Sequence, residues 1–304
     1  MTVWSGCAHN VARVTHQFQG NRDVTKSVSK TPTSLPANAV KVRIVAANLT
    51  SGSEQSYSSD NANHSNLEGA GARILKGLEP DVVLIQEFNA GTSTQQWVAR
   101  TFGPNYEFAK EEGVGIPNGI VSRYPIVAEG EWDDPTQINR DFAWAKVKLP
   151  NGRHLWAVSV HLKAGGERDI RRKQAEELVR RIRANIPEQD YLVLGGDFNT
   201  SNRAEPCIGK LGEVFQTAGP HPKDQGGDQD TNGNRRKPYD WVLADAELHS
   251  RQVATQVGSS TFSTGLVVDT RVFSPLDAIA PAQQSDSSAT NMQHMAVVKD
   301  FTIP

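Results

Sequence analysis

The chain has 304 residues, 37% of them hydrophobic, with 32 Lys and Arg against 34 Asp and Glu. That composition supports a sizeable core and excludes a disordered or fibrous chain. A net charge of −2 and a pI near 6.5 exclude a global basic field, so any binding of a polyanion has to be local.

Residues 1–40 are polar and mixed: "VWSGCAHNVARVTHQF" reads as a short strand or two and "SKTPTSLPAN" as a linker, so this part is expected to be an N-terminal extension. Its start lacks the apolar segment of a secretory signal, and no stretch approaches the roughly 20 apolar residues of a membrane span. The expectation is a soluble monomer, either cytoplasmic or exported with its signal outside this sequence. The two cysteines, Cys7 and Cys207, allow one disulfide at most and are too few for a structural zinc site.

From residue 41 the pattern becomes regular. "KVRIVAA" (41–47) and "DVVLIQ" (81–86) are short β-branched runs, and "SNLEGAGARILKGLEP" between them has helical spacing that stops at Pro80. Further strands are predicted in "NGIVS" (118–122), "FAWAKVKL" (142–149), "HLWAVSVHL" (154–162), "YLVLGG" (191–196), "YDWVLA" (239–244) and "HMAVVKDF" (294–301). The stretch 167–186 is an amphipathic helix with Ile170, Ala175, Leu178, Val179 and Ile182 on one face. Its basic residues read as a solvated face, since Glu176 and Glu177 interrupt the charge run. Stretches 217–238 and 274–293 read as loops, of a length that is usually functional or mobile. Alternating strands and helices from 41 to 304 point to one α/β domain.

Six apolar runs share one feature: a polar side chain at an end of the strand. Asn48, Glu87, His161 and Asp197 with Asn199 follow their runs, while Asp240 and His294 open theirs. Open α/β sheets keep their sites at such an edge. The residue types fit phosphoryl chemistry. Asn48 and Glu87 are hard oxygen donors that suit Mg²⁺ or Mn²⁺ rather than zinc. Asp197 can orient or deprotonate a water, and Asn199, two residues on, can donate to a phosphate. His161 and His294, when protonated, can donate to phosphate oxygens, and Asp240 is an acceptor that would fix one imidazole.

Taken in order and spacing, "AANL", "DVVLIQEF", "NGIVSRYPI", "SVHLKA", "GGDFN" and "YDWVL" resemble the motifs of the endonuclease/exonuclease/phosphatase superfamily, the deoxyribonuclease-I-like fold, over about residues 41–303. The resemblance implies a four-layer α/β sandwich, two mixed β-sheets packed face to face with helices outside, and metal-dependent cleavage of phosphate esters by in-line attack of water. It assigns Asn48 and Glu87 to the metal, Asp197 to water activation, Asn199 to the phosphate, His161 and His294 to catalysis, and Asp240 to pairing with His294. Arg140 matches, more loosely, an arginine set against the phosphate. Arg123 in "SRYPI" reads as a structural residue that fixes a turn. Most of the family has aspartate before the last histidine, where its carboxylate helps hold the metal; here Gln293 brings an amide oxygen and no charge. Asp286 in the preceding loop is a candidate to supply the missing charge.

The fold does not choose the ester. Arg235, Arg236 and Lys237, just before Asp240, are read as a local anchor for a polyanion such as nucleic acid. No long hydrophobic loop supports a sphingomyelinase. A phosphodiesterase of nuclease type is therefore expected first. A small-molecule or inositol-type phosphatase is the alternative, and a catalytically dead phosphate-binding module a third.

Overall fold

The structure, a computed structural model, describes residues 38–49, 69–90, 92–290 and 292–304. The strands and linker expected within residues 1–37, and Cys7 with them, lie outside the described residues.

In chain order the elements are β1 (Val40–Ala47), α1 (Ala70–Leu78), β2 (Val82–Ile85), α2 (Thr94–Thr101), β3 (Glu107–Lys110), β4 (Gly119–Ser122) and β5 (Ile126–Trp132). Then come β6 (Phe142–Lys148), β7 (His154–His161), α3 (Arg168–Asn185), β8 (Tyr191–Asp197), α4 (Pro206–Leu211), β9 (Asp240–Ala244) and α5 (Ala246–His249). The chain closes with β10 (Gln252–Val253), β11 (Thr255–Val257), β12 (Ser260–Phe262), β13 (Leu266–Val268) and β14 (Ala296–Ile303). Two 3₁₀ turns, Leu276–Ile279 and Asp286–Ser288, interrupt the loop before β14.

Of the two large sheets, one runs β10-β14-β1-β2-β4-β3 with β13 also beside β14 and the other runs β5-β6-β7-β8-β9, while β11 and β12 form a separate hairpin. Each large sheet is mixed: β1–β2 and β7–β8 are parallel, their other neighbours antiparallel. Three apolar layers follow from strand alternation. Val42, Ile44 and Ala46 of β1 meet Val193, Val242 and Ala244 between the sheets. Val45 and Ala47 face the other way, against Ile74, Leu75 and Leu78 of α1 and Trp97 of α2. On the far side Leu192 and Leu194 of β8 pack on Leu178, Val179 and Ile182 of α3. The result is the expected four-layer sandwich.

Close contacts with the facing sheet and with the neighbouring strand β7 explain the glycine pair in "GGDFN". A Cβ on Gly195 would sit 2.7 Å from Leu84 Cδ1 of the facing sheet, and one on Gly196, at φ +134°, would sit 2.1 Å from the Val160 carbonyl. Only glycine lets β8 pass there and deliver Asp197. On α3, Arg172–Glu176 and Arg180 and Arg181 with Glu177 form pairs along the outer face, so its cations are engaged with neighbouring carboxylates. The helix also carries a fully buried Arg171, which holds Glu205 through two hydrogen bonds of 2.9 Å.

Candidate active site

Sheet pairing aligns three of the polar strand ends. His161 of β7 pairs with Asp197 of β8, and Asp197 pairs with Asp240 of β9, so one row crosses three adjacent strands. From the facing sheet, Asn48 and Glu87 leave the parallel pair β1–β2 at its C-terminal end. Because β14 runs antiparallel to β1, His294 just before β14 reaches the same edge.

All seven of Asn48, Glu87, His161, Asp197, Asn199, Asp240 and His294 are buried. Asp197 is the hub. It accepts from Asn48 Nδ2 at 3.0 Å and from the Asn199 backbone N–H at 2.8 Å, and it lies 3.2 Å from His161 Nε2 and 3.6 Å from His294 Nε2. His294 Nδ1 donates to Asp240 Oδ2 at 2.9 Å, while the Asp240 backbone N–H donates to Thr231 Oγ1 at 2.7 Å. Asn199 donates from its side chain to the Leu162 carbonyl at 3.1 Å. Glu87 and Asn199 stand at φ 51° and 52°. Such a backbone is ordinary for Asn, whereas for Glu87 it costs about 1 kcal/mol or more, a cost the packing around the site overrides.

The electrostatics separate the two histidines. Burial drives the His161 pKa down to about 3, the Arg140 charge adds to this, and Asp197 only partly opposes it. Burial also works against the His294 imidazolium, but the carboxylates of Asp240 and Asp197 outweigh it and hold that pKa at about 9. Near neutral pH His161 is therefore neutral and His294 charged. The condition for donation from an imidazolium, protonation, is thus favoured at His294 and disfavoured at His161. Burial raises Asp240 as well, but the proton of this pair resides on the imidazole. Two like groups with environments that push their pKa values apart mark an acid–base site.

Glu87 is raised to about 7, mainly by burial and further by Asp197, against the hydrogen bond from Asn48. The Asn48 Oδ1 atom is buried without a hydrogen-bond partner. A desolvated carboxylate beside an amide oxygen with an unused lone pair fits a hard divalent cation. Asp197, Asp240 and His294 also offer ligand atoms within 4.8 Å of one another.

Arg140, 5% exposed, donates from Nε to the His161 carbonyl at 2.6 Å and from Nη2 to the Leu162 carbonyl at 3.1 Å, so it is fixed at the rim of this cluster. Gln293 is exposed next to His294, and its carbonyl accepts from Gly233 N–H at 2.6 Å. Asp286 is not available to replace a charge there: it is buried and bonded to Arg73 and to the backbone N–H of Gln283. Arg235 also departs from the sequence reading. Its guanidinium is bound to Asp224 at 2.8 Å and Asp269 at 2.9 Å, with Asp228 at 3.5 Å, and its side chain is 11% exposed. The acidic run "KDQGGDQD" ahead of it was the available signal. Arg236 is exposed and Lys237 half-buried, their backbone N–H groups both held by Asn232 Oδ1. Arg123 lies at the opposite end of β2, with Asp81 at 3.1 Å and the Tyr106 hydroxyl at 3.0 Å. Cys207 is a buried free thiol, which burial pushes up to about 12.

Sequence reasoning missed two neighbours of the site. Tyr239 lies with its ring 5.6 Å from that of His294, and Lys237 Nζ stands 5.7 Å over the tyrosine ring. Gln86 crosses between the sheets, donating to Ser159 Oγ at 2.9 Å. Each sits beside a motif residue, Asp240 and Glu87 respectively, and adjacency was the only signal.

The architecture has clear counterparts. Among solved structures, an endonuclease/exonuclease/phosphatase from Bacteroides vulgatus superposes with a TM-score of 0.58 at 16% identity over 87% of this chain and 100% of its own. D. rerio TDP2, in complex with a single-strand DNA product, gives 0.57 at 17% identity over 86% and 98%. The human Nocturnin catalytic domain, with bound sulfate, gives 0.60 at 14% over 88% and 97%. No curated protein sequence matches the chain. The family model described as "Endonuclease/Exonuclease/phosphatase family" matches residues 61–263. Two mixed sheets, the row of polar strand ends and that match lead to one conclusion: the chain belongs to the endonuclease/exonuclease/phosphatase family, and phosphoric ester hydrolysis is its activity class.

Proposed function

We propose that the protein is a phosphodiesterase of nuclease type, dependent on Mg²⁺ or Mn²⁺, that cleaves by in-line attack of water. One observation carries the reading: a buried carboxylate, Asp197, lies 3.2 Å from the imidazole of His161 and 3.6 Å from that of His294 at one sheet edge.

Asp197 accepts the proton of the attacking water, held in place by Asn48, the Asn199 backbone and His161. His294, kept protonated and oriented by Asp240, donates to a phosphoryl oxygen as charge builds up in the transition state. His161 donates a neutral N–H, and Asn199 and Arg140 position the phosphate. Asn48 and Glu87 would hold the cation, with Gln293 lending at most an amide oxygen. Bound there, a divalent cation would supply Lewis-acid polarisation of a phosphoryl oxygen.

A nucleic-acid substrate is supported by Arg236 and Lys237 at the rim and by Tyr239, whose ring could stack on a base. D. rerio TDP2, of the same fold, holds a single-strand DNA product. A second reading, a small-molecule or inositol-type phosphatase, gains from the internal engagement of Arg235, which shrinks the local basic anchor. The test is a substrate panel at fixed Mg²⁺: single-stranded DNA, plasmid, RNA, inositol phosphates and sphingomyelin. Preferential cleavage of nucleic acid supports the first reading. Turnover of inositol phosphates alone supports the second, and binding without turnover would mean a dead module.

A further inference from the structure

Behind the catalytic row lies a second feature that catalysis does not use. Lys299 is on β14, paired with Ile44 of β1, and strand alternation puts it on the same face as Val297 and Phe301, which belong to the core between the sheets. It is 7% exposed, and no side-chain hydrogen bond or ion pair joins its ammonium to another described residue. A buried lysine without a carboxylate partner is rare and costly.

Its side chain borders a cavity of about 30 Å³ lined by β9, β14 and residues of the 216–222 loop. The walls carry four basic side chains, Arg203, His221, His249 and Lys299, and one carboxylate, Asp240, which is bonded to His294 at 2.9 Å. Among the described residues, Arg203 is the only one of the four basic side chains with an acidic partner, Asp230 at 3.3 Å. The volume exceeds the roughly 10–15 Å³ that one water requires. Burial lowers Lys299 to about 8, and burial followed by the Arg203 and Lys299 charges lowers His221 to about 4. Burial and the Lys299 charge thus disfavour the imidazolium forms of both His221 and His249 beside this cavity. An anion placed there would relieve all three at once.

We propose that this cavity is a binding site for a small tetrahedral oxyanion of the phosphate type, held by Lys299 with His221 and His249. The same chemistry could be offered by free inorganic phosphate or by a phosphate group of the substrate.

The test uses full-length protein, inorganic phosphate as probe, and gluconate to hold ionic strength constant. Thermal unfolding is followed for the native protein and for Lys299→Met, both with an intact catalytic edge, so phosphate bound at that edge contributes equally to each. Phosphate at about ten times its Kd should raise Tm by roughly 2–4 °C more in the native protein than in the variant. The variant, relieved of a buried ammonium, should be at least as stable without phosphate, so failure to fold would itself count against the assignment. An equal phosphate effect in both proteins, or none in either, overturns it. Turnover of a diester then separates the two sources: unchanged KM in Lys299→Met identifies free phosphate, and a raised KM identifies a phosphate of the substrate.

Discussion

Replacing Arg235 tests whether this arginine serves the fold or the substrate. In Arg235→Ala the guanidinium disappears from between Asp224, Asp228 and Asp269. Removing one partner of a buried ion pair costs about 3–5 kcal/mol, because the other charge is left uncompensated. Two features reduce the figure here. Asp269 keeps Arg271 at 2.6 Å, and Asp224 keeps the Asp228 backbone N–H at 2.9 Å. A loss of about 2–4 kcal/mol is therefore expected, and in a domain of this size Tm falls by roughly 5–15 °C. Arg235→Lys should recover part of it, since the charge returns but the fork that spans two carboxylates does not. Urea and thermal unfolding give the stability, and kcat/KM on a chromogenic diester gives the activity of the folded fraction, which should stay near that of the native protein. A variant of native stability whose binding to a polyanion is weakened would refute this reasoning and restore Arg235 to the substrate.

Asp197→Asn and His161→Ala should each lower turnover by at least about 10²-fold while circular dichroism and Tm stay near native; near-native turnover in either would remove that residue from the chemistry. His294 should make stability pH-dependent in a defined direction. Its folded pKa of about 9 exceeds the ordinary 6.5, so its contribution is complete below pH 6.5 and is lost as pH rises through 9. Asp240→Asn should flatten that alkaline decline in a set of urea-unfolding curves, and an unchanged decline would show that the pair does not hold the proton. A metal titration of Gln293→Asp should show half-maximal rate at lower Mg²⁺ than the native protein; an unchanged midpoint would mean that the site is already electrostatically complete.

The core strands were legible because they are buried on both faces. "VVLI" and "YLVLGGD" read as apolar runs and form β2 and β8 with no exposed residue. Edge and amphipathic elements were not. β5, "IVAEGEW", exposes the middle of its length and so lacks the alternation that marks a strand, and α2, "TQQWVART", buries only Trp97, Val98 and Thr101. At the site, residues next to apolar runs could be placed at one edge from the sequence. Their protonation could not, because the opposite fates of His161 and His294 depend on which carboxylates and cations the two sheets bring within reach. Arg235 shows the same limit. A basic triplet looks free in a sequence until the fold folds an acidic loop back over it. Lys299 was hidden inside a predicted strand, where only the pairing of β14 with β1 fixes the side on which it lies.

The central claim is cation-dependent hydrolysis of phosphodiesters with Asp197 as the proton acceptor. The most direct measurement is cleavage of a single-stranded DNA oligonucleotide and of a chromogenic diester with Mg²⁺, with excess EDTA, and with the Asp197→Asn protein. The account predicts turnover with Mg²⁺ that stops in EDTA, returns when Mg²⁺ is restored, and is at least about 10²-fold lower in the variant. Full activity in excess EDTA, or native turnover in Asp197→Asn, would contradict it.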